Sequence, residues 1–375
     1  MKKSTFVILC LEGAVLSFNV AAAAALIPSI AKDFALSQFL VGNIVWLYMI
    51  PYGLAAFFYG PLIRAFDARR VELVCMFLFS AANLLAGLSH NITTLFIARF
   101  LMGLFGASVI PLGLILIGQR ISQDWRGRFI GVFFSTTFVA SLAGLFLSGI
   151  ISWRLIFLIP AALGFLLWVG MYFYLPSFKE ENRIFRMDYI LAFKNKNVVR
   201  IFTYILFISL IYHGIQQWLG VYFSTQLNLS QFMISMLITL TSLSGIVGEV
   251  WGGSLADSLG RQRVVNIGII AMIVCIGILI LKLPLAIIAL AMIIWGLGWT
   301  FNHVGLATML TDLPKELLNE AASLNSGVRF LAGGIGVSLG GLIMHKSFSL
   351  GFIIFGSALS LLLLSGKLIN IKNRG

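Results

Sequence analysis

The sequence predicts an all-α integral membrane protein with twelve transmembrane helices in two pseudo-symmetric six-helix halves. Three observations predict this fold: the composition, the apolar runs and an internal repeat. Of the 375 residues, 60% are apolar and 10% are charged, and the mean hydropathy is +1.01, which lies outside the range of soluble domains. At about 20 residues per crossing, the chain holds roughly twelve spans and leaves no room for a soluble enzyme, DNA-binding or ATPase domain.

Apolar runs of spanning length recur along the whole chain. Their interior prolines are tolerated because neighbouring helices satisfy the freed backbone groups. The first run has basic residues before it but no small-residue cleavage site, so we interpret it as a retained span and not a signal peptide. The predicted spans are 6–30, 39–62, 71–88, 93–119, 128–150, 153–175, 199–223, 231–254, 264–281, 284–310, 320–344 and 347–369.

The basic residues lie mostly in alternate loops. Of 26 Lys and Arg residues, 20 fall on one side when loops are assigned alternately to the two faces, four fall on the other, and Arg99 and Arg329 lie inside spans. This positive-inside bias predicts a multi-pass protein of the bacterial inner membrane with both termini in the cytoplasm. It also explains the formal net charge of +13 without a nucleic-acid partner.

The two halves of the sequence repeat. The segment 253–263 follows the segment 60–70 by 193 positions, and 336–341 follows 144–149 by 192 positions, in matching loops and spans. We therefore predict a six-helix half at 1–176, a polar cytoplasmic linker at 177–198 and a second half at 199–375. Parallel repeats of this kind are typical of alternating-access carriers.

With these motifs, the chain resembles the major facilitator superfamily, particularly its bacterial twelve-helix efflux-type permeases. The family's loop signature, Gly-x-Leu-Ala-Asp-x-x-Gly-Arg-x-Arg, is matched in the second half. The first copy is degenerate. Trp153 and Arg154 are similar to the family's sixth-helix opening, and Arg99 with Gly103 is similar to its fourth-helix pattern. The loop-motif residues are Gly253, Asp257, Gly260, Arg261 and Arg263, with Gly60, Arg64, Asp67 and Arg70 in the first copy.

These motifs predict a gate and two close helix contacts. A tight turn leaves helix-end groups that charged side chains satisfy, so Asp257 and Arg261 either exchange bonds between states or simply cap the turn. For the degenerate first copy we favour capping. Small residues four apart allow close approach of helix backbones. The family's antiporters have Gly-Pro-x-x-Gly-Gly in the fifth helix, where this chain has Leu145 and Ser148 in place of Pro and Gly. The predicted packing residues are Gly144, Gly149, Gly336, Gly340 and Gly341.

Ionisable side chains inside spans are costly and are therefore candidates for ion coupling. Glu12 and Asn19 are seven positions apart and share a helix face, with Glu12 about 9 Å from the cytoplasmic end at 1.5 Å per residue. A buried carboxylate can take a proton from one side and release it to the other, so Glu12 is the first coupling candidate, with pairing to a basic loop as the alternative. His213 is a second. The resemblance implies a third, Arg99, either in coupling or in holding the bundle together.

Polar side chains inside later spans are candidates for lining a substrate cavity. In the seventh span they form one aromatic-flanked face, and in the eleventh Asn325 and Arg329 are four apart. The buried cation Arg329 requires a counter-charge from an anionic substrate, from Glu12 or from another helix. Glu249 precedes the loop motif, and we predict a structural or gating ion pair with Arg261 or Arg263. The cavity candidates are Asn19, Gln216, Gln217, Trp218, Asn302, His303, Asn325 and Arg329.

The function predicted from these features is secondary active transport of a small organic solute. The sequence lacks phosphate-loop, His-Glu-x-x-His and Gly-x-Ser-x-Gly motifs, so neither an enzyme nor an ATP-driven pump is expected. We expect no cofactor and no metal site, protons as the coupling ion with sodium as the alternative, and a monomer as in other family members. Proton-coupled export is favoured over import of a nutrient. A transport-inactive sensor or scaffold is a further alternative, favoured by the degenerate loop.

Overall fold

The protein is all-helical in the part described by a computed structural model, residues 3–177, 193–311 and 318–366. No strand occurs among those residues, as expected for apolar segments that satisfy their own backbone groups. The helices are Lys3–Ser17, Ala22–Ala25, Ile27–Phe34, Gln38–Val41, Asn43–Ala65, Ala68–Gly87, Ile92–Gly106, Val109–Arg120, Gln123–Leu147, Trp153–Tyr174, Lys196–Gln216, Leu219–Gln226, Gln231–Leu259, Arg261–Ile280, Leu285–Thr311, Leu318–Met344 and Phe348–Leu364.

Within the described ranges, these helices make eleven segments long and apolar enough to cross a membrane, and one shorter apolar helix follows. All twelve correspond in order to the predicted segments. Spans 1 to 12 are Lys3–Ala25, Gln38–Leu62, Ala68–Gly87, Ile92–Gly118, Arg128–Leu147, Trp153–Tyr174, Lys196–Gln226, Gln231–Leu259, Arg261–Ile280, Leu285–Leu310, Leu324–Met344 and the shorter helix Phe348–Leu364.

The chain divides into two compact units, Met1–Met187 and Asp188–Gly375. In unit 1, span 1 packs on span 5, span 2 on span 4, and span 3 on spans 4 and 6. Unit 2 repeats this arrangement, because span 7 packs on span 11, span 8 on span 10, and span 9 on spans 10 and 12. Most of the predicted linker, residues 178–192, lies outside the described part of the chain.

Glycines create the closest helix contacts at equivalent places in both units. A Cβ on Gly144 would overlap the carbonyl group of Phe18, so span 5 touches the backbone of span 1. In span 11, Gly336 and Gly340 likewise touch backbone carbonyls of span 7. Gly149 lies in the turn beyond the helix that ends at Leu147, and its packing role stays a prediction. Gly341 instead faces a side chain, the indole ring of Trp218.

Among the described residues, the helical pattern is interrupted inside four spans. Turns occur at residues 18–21 in span 1, at residue 42 in span 2, at 107–108 in span 4 and at 217–218 in span 7. Two of these turns hold predicted cavity residues, Asn19 and Gln217. Interrupted transmembrane helices are typical of solute and ion sites in transporters, so the interruptions point to the same parts of the molecule as the polar side chains.

Candidate functional site

Five polar side chains in the interior of unit 1 form a group that we call the carboxylate cluster. They come from three spans: Glu12 and Asn19 from span 1, Glu72 and Asn83 from span 3, and Ser108 from the turn in span 4. Each of them is fully buried, with 0% of its surface exposed. Burial of two acidic side chains in one helix bundle is rare and costly, which marks the group as a functional candidate.

Hydrogen bonds link the three spans of the carboxylate cluster. The Asn19 side-chain amide donates to Oδ1 of Asn83 at 2.6 Å, and the Ser108 hydroxyl donates to Oε1 of Glu72 at 3.1 Å. Glu12 differs from Glu72: neither of its carboxylate oxygens has a hydrogen-bond partner among the described residues. The two carboxyl groups are electrostatic neighbours, so a negative charge on one opposes a negative charge on the other.

The sequence reasoning found Glu12 and Asn19 but missed Glu72 and Asn83. Glu72 lies at the start of the predicted span 71–88 but was not recognised as a candidate. A usable signal was present, because Asn83 follows Glu72 by 11 positions and 11 residues make about three full helical turns. That spacing places both polar groups on one face of span 3, as the seven-residue spacing does for Glu12 and Asn19 in span 1.

Arg99 is buried at a different place in unit 1. Its Nε donates to the backbone carbonyl of Ile44 at 2.9 Å, and its guanidinium carbon lies 4.5 Å from the ring centroid of Tyr48. The ring of Phe157 is 5.9 Å away. Arg99 therefore fastens span 4 to spans 2 and 6. Of the two roles that the resemblance implies for Arg99, these contacts favour holding the bundle together.

The Trp-Arg pair at the start of span 6 joins three helix ends. Arg154 donates to the backbone carbonyls of Gly87 at 3.3 Å and Ser89 at 2.6 Å, which lie at the end of span 3. Its Nη2 is 2.9 Å from Oδ2 of Asp33, and the indole of Trp153 donates to the same oxygen at 3.2 Å. These bonds satisfy helix-terminal carbonyls that would otherwise lack partners.

In unit 2, the predicted polar face of span 7 meets the aromatic side chains of span 10. Tyr212 stacks on Trp299 with ring centroids 3.9 Å apart and an interplanar angle of 12°, and Trp295 lies on the same stack at 5.4 Å. The indole of Trp295 donates to Oε1 of Gln216 at 2.7 Å, which fixes its position. We call Tyr212, Trp295 and Trp299 the aromatic stack.

Polar groups surround the aromatic stack. His213 and His303 have ring centroids 5.5 Å and 6.3 Å from that of Trp299, and Gln217 lies 3.2 Å from a ring nitrogen of His213. His213, Gln217, His303 and Trp299 are half-buried. Because a polar surface facing lipid is unfavourable, this accessible part of unit 2 has the properties of a cavity lining.

Glu249 has a partner other than the predicted loop arginines. Its Oε1 lies 2.9 Å from Nδ1 of His303 in span 10, and Glu249 is also an electrostatic neighbour of Arg329. The loop arginine Arg261 instead donates to the backbone carbonyl of Thr308 at 2.7 Å. Glu249 is ten residues before the end of its helix at Leu259, about 15 Å along the axis, so it belongs with the polar face of unit 2 and not with the loop.

Two of the predicted cavity residues serve helix packing. The side-chain amide of Asn302 donates to the carbonyl of Gly298 at 2.8 Å and lies against Gly268 of span 9, away from the aromatic stack. The indole of Trp218 donates to the carbonyl of Val337 at 2.9 Å, which joins span 7 to span 11. Both side chains are almost fully buried, so we correct their assignment from cavity lining to packing.

The two loop motifs differ in structure as well as in sequence. In the second, Gly260 has φ +91°, a conformation that favours glycine, and Asp257 and Arg263 are exposed beside open space at Gly253. In the first, the Asp67 side chain accepts from the backbone N–H of Arg69 at 3.2 Å and caps span 3. Gly60 is buried, Arg70 lines a cavity of about 600 Å³, and the side chain of Arg64 lies outside the described part.

The fold and these sites define a membrane-embedded carrier built from two six-helix units with ionisable groups inside the spans. The chain belongs to the Major Facilitator Superfamily, whose family model matches residues 9–341. Proteins of this family are transporters of small solutes, and the predicted twelve-helix fold is confirmed.

Relatives of the chain differ in direction and solute. The riboflavin transporter RibZ of Clostridioides difficile is 21% identical, with 83% of this chain and 81% of that protein covered. The purine ribonucleoside efflux pump NepI of Salmonella enteritidis is 23% identical, with 86% and 82% covered. The crystal structure of a D-xylose-proton symporter superimposes with a TM-score of 0.76 at 15% identity, with 97% of this chain and 96% of that chain covered.

Proposed function

We propose that the protein is a proton-coupled secondary transporter that exports a small organic solute by alternating access, with Glu12 as the proton carrier. The observation that carries this proposal is the environment of Glu12: a fully buried carboxyl group without a hydrogen-bond partner in the described part of the chain. An ionised carboxylate in such a place would lose its hydration without compensation. Glu12 is therefore occupied by a proton in this conformation and releases it when water reaches the site.

Glu72 has a complementary part in this proposal. It keeps a hydroxyl donor from Ser108, so it tolerates negative charge better than Glu12 does. A negative charge on Glu72 favours the protonated form of Glu12 because the two groups are electrostatic neighbours. The hydrogen bond between Asn19 and Asn83 holds spans 1 and 3 together beside the two carboxyl groups. The pair thus supports a cycle in which Glu12 exchanges one proton, while the negative charge of Glu72 favours binding of that proton to Glu12.

The solute belongs, in this proposal, to the aromatic stack and the half-buried polar groups of unit 2. Flat rings stack favourably on tyrosine and tryptophan, and two relatives are named for riboflavin and purine ribonucleosides, which both contain flat heterocycles. In this proposal the protein works as a single chain, as family members commonly do. The distribution of basic residues supports a place in the bacterial inner membrane with both termini in the cytoplasm.

Import is the second candidate, and it has its own observation. Leu145 and Ser148 stand where the family's antiporters have Pro and Gly, so the element typical of export is incomplete. Measurement of flux in everted and right-side-out vesicles separates the two directions, because a proton antiporter and a proton symporter accumulate solute under opposite pH gradients.

Transport by the purified full-length chain in proteoliposomes tests the proposal. The panel contains riboflavin, inosine, adenosine and puromycin, each with and without an imposed gradient of two pH units. We expect at least one solute to accumulate only under the gradient and to leak back when a protonophore is added. If every panel solute equilibrates at the same rate in proteoliposomes and in empty liposomes, the transport proposal fails for this solute class.

A further inference from the structure

The guanidinium group of Arg329 in span 11 is a buried cation with unused donors. Its Nε donates to Oδ1 of Asn325 at 2.8 Å, but both terminal nitrogens are buried without a hydrogen-bond partner among the described residues. Only 7% of the residue is exposed. Arginine keeps its charge in proteins, and its two terminal nitrogens match the two oxygens of a carboxylate. A buried charge whose terminal donors have no partner in the described part of the chain is destabilising.

Glu249, an acidic neighbour of Arg329, does not bind the terminal nitrogens of the guanidinium group. Glu249 is within electrostatic range of Arg329, but its carboxylate Oε1 is 2.9 Å from the ring nitrogen of His303. The Glu249 carboxylate is thus directed at His303, and no described residue makes a hydrogen bond to the terminal nitrogens of Arg329. An anionic ligand is favoured there over a cationic one.

The aromatic stack lies beside the guanidinium group of Arg329. The guanidinium carbon of Arg329 is 5.8 Å from the ring centroid of Trp299, which itself lies on Tyr212 at 3.9 Å. Trp299 is half-buried, as are His213 and Asn325, so ligands reach this region more easily than the core. An acid group bound to Arg329 would bring an attached flat ring against Trp299, where stacking favours an aromatic ligand.

We propose that unit 2 contains a binding site for an aromatic carboxylate, with the acid group on the terminal nitrogens of Arg329 and the ring against Trp299. The proposal rests on the proposed carrier function and deepens it by naming the substrate class. It requires rearrangement of the side chains around Arg329 when the solute enters, because the two nitrogens are enclosed in this conformation.

Isothermal titration calorimetry on the full-length protein in detergent, without any gradient, tests the site. The probes are benzoate, 2-naphthoate and indole-3-carboxylate, each compared with its neutral amide. We expect at least one acid to bind about tenfold more tightly than its amide. Arg329→Gln should abolish that preference, and Arg329→Lys should keep part of it. Trp299→Leu should weaken binding of the aromatic acid about threefold or more, without affecting binding of decalin-2-carboxylate.

Arg200→Gln is the matched control, because Arg200 is an exposed arginine near the start of span 7 in the same unit. It should bind the acids as the wild-type protein does. Equal affinity of the wild-type protein for acid and amide, or an acid preference that persists in Arg329→Gln, overturns the site, and so does absence of binding by all three acids at about 10 mM. If Arg329→Gln does not fold, the comparison of acid with amide in the wild-type protein and in Arg329→Lys still decides whether the site prefers acids. Binding without gradient-driven flux contradicts the carrier proposal alone.

Discussion

Replacement of Glu12 by Gln should uncouple transport from the proton gradient while leaving exchange intact. The substitution keeps the size of the side chain and removes only its exchangeable proton. A gradient of two pH units stores about 2.7 kcal/mol per proton, at 1.36 kcal/mol per unit, and each 1.4 kcal/mol is a factor of ten in concentration. With one proton per cycle at Glu12, proteoliposomes with the wild-type protein should concentrate the solute about 100-fold. Proteoliposomes with Glu12→Gln should not concentrate it above the outside level.

Proteoliposomes loaded with a transported solute provide the assay. Gradient-driven accumulation reports coupling, and counterflow of labelled against unlabelled solute reports the conformational cycle without net proton movement. Glu12→Gln should retain counterflow within about threefold of wild type. Glu72→Gln should retain most of the accumulation, because Glu72 holds a hydroxyl donor and is not the exchanging group.

Asp33→Asn is the matched control for loss of a carboxylate in unit 1, because Asp33 lies outside the carboxylate cluster and pairs with Arg154. It should accumulate solute normally. Accumulation near 100-fold by Glu12→Gln would refute the assignment of the proton to Glu12. Loss of accumulation in Glu72→Gln, with Glu12→Gln unaffected, would transfer the coupling role to Glu72.

Three further predictions concern packing and gating. Arg154→Gln loses two charge-assisted hydrogen bonds to backbone carbonyls and should destabilise the protein by about 2 kcal/mol or more in thermal unfolding. Asp33→Asn should cost about 1 kcal/mol or less because the ion pair is partly exposed. Equal losses of stability in the two variants would contradict this account. Gly144→Val places a side chain in the Phe18 carbonyl and should cost about 3 kcal/mol or more, while Gly131→Val, with open space around it, should be nearly neutral. Asp257→Asn should slow turnover severalfold with normal membrane insertion, and unchanged turnover would leave capping as its only role.

The sequence was sufficient for the architecture because each spanning helix satisfies its own backbone and must be apolar along its whole length. The sequence was enough to predict the twelve segments, the repeat and the small-residue contacts at Gly144, Gly336 and Gly340. The end of span 5 was placed too late because helix ends are less well specified by local sequence than helix interiors. The predicted span ends at residue 150, whereas the helix ends three residues earlier, at Leu147.

Candidate site residues were predicted less well, because their partners come from other spans. Hydropathy indicated that Glu12, His213 and Arg329 lie inside the membrane, but it could not tell which groups face them. Glu249 was assigned to the adjacent loop because proximity in sequence was the only available guide, whereas its carboxylate lies beside His303 from span 10. Asn302 and Trp218 suggested a cavity, yet the Asn302 amide donates to Gly298 in its own helix and the Trp218 indole donates to Val337 in span 11.

The sequence alone thus determined a membrane carrier of two repeated halves and the identity of most of its buried ionisable groups, because the bilayer penalises every charge placed within it. Tertiary structure decided how those groups are combined. It brought Glu72 from span 3 to the neighbourhood of Glu12, gave Arg99 a backbone carbonyl as partner, and left the terminal nitrogens of Arg329 without one among the described residues. Those arrangements depend on the rotation and register of packed helices, which are set by side-chain fit between spans and are not encoded in any single span.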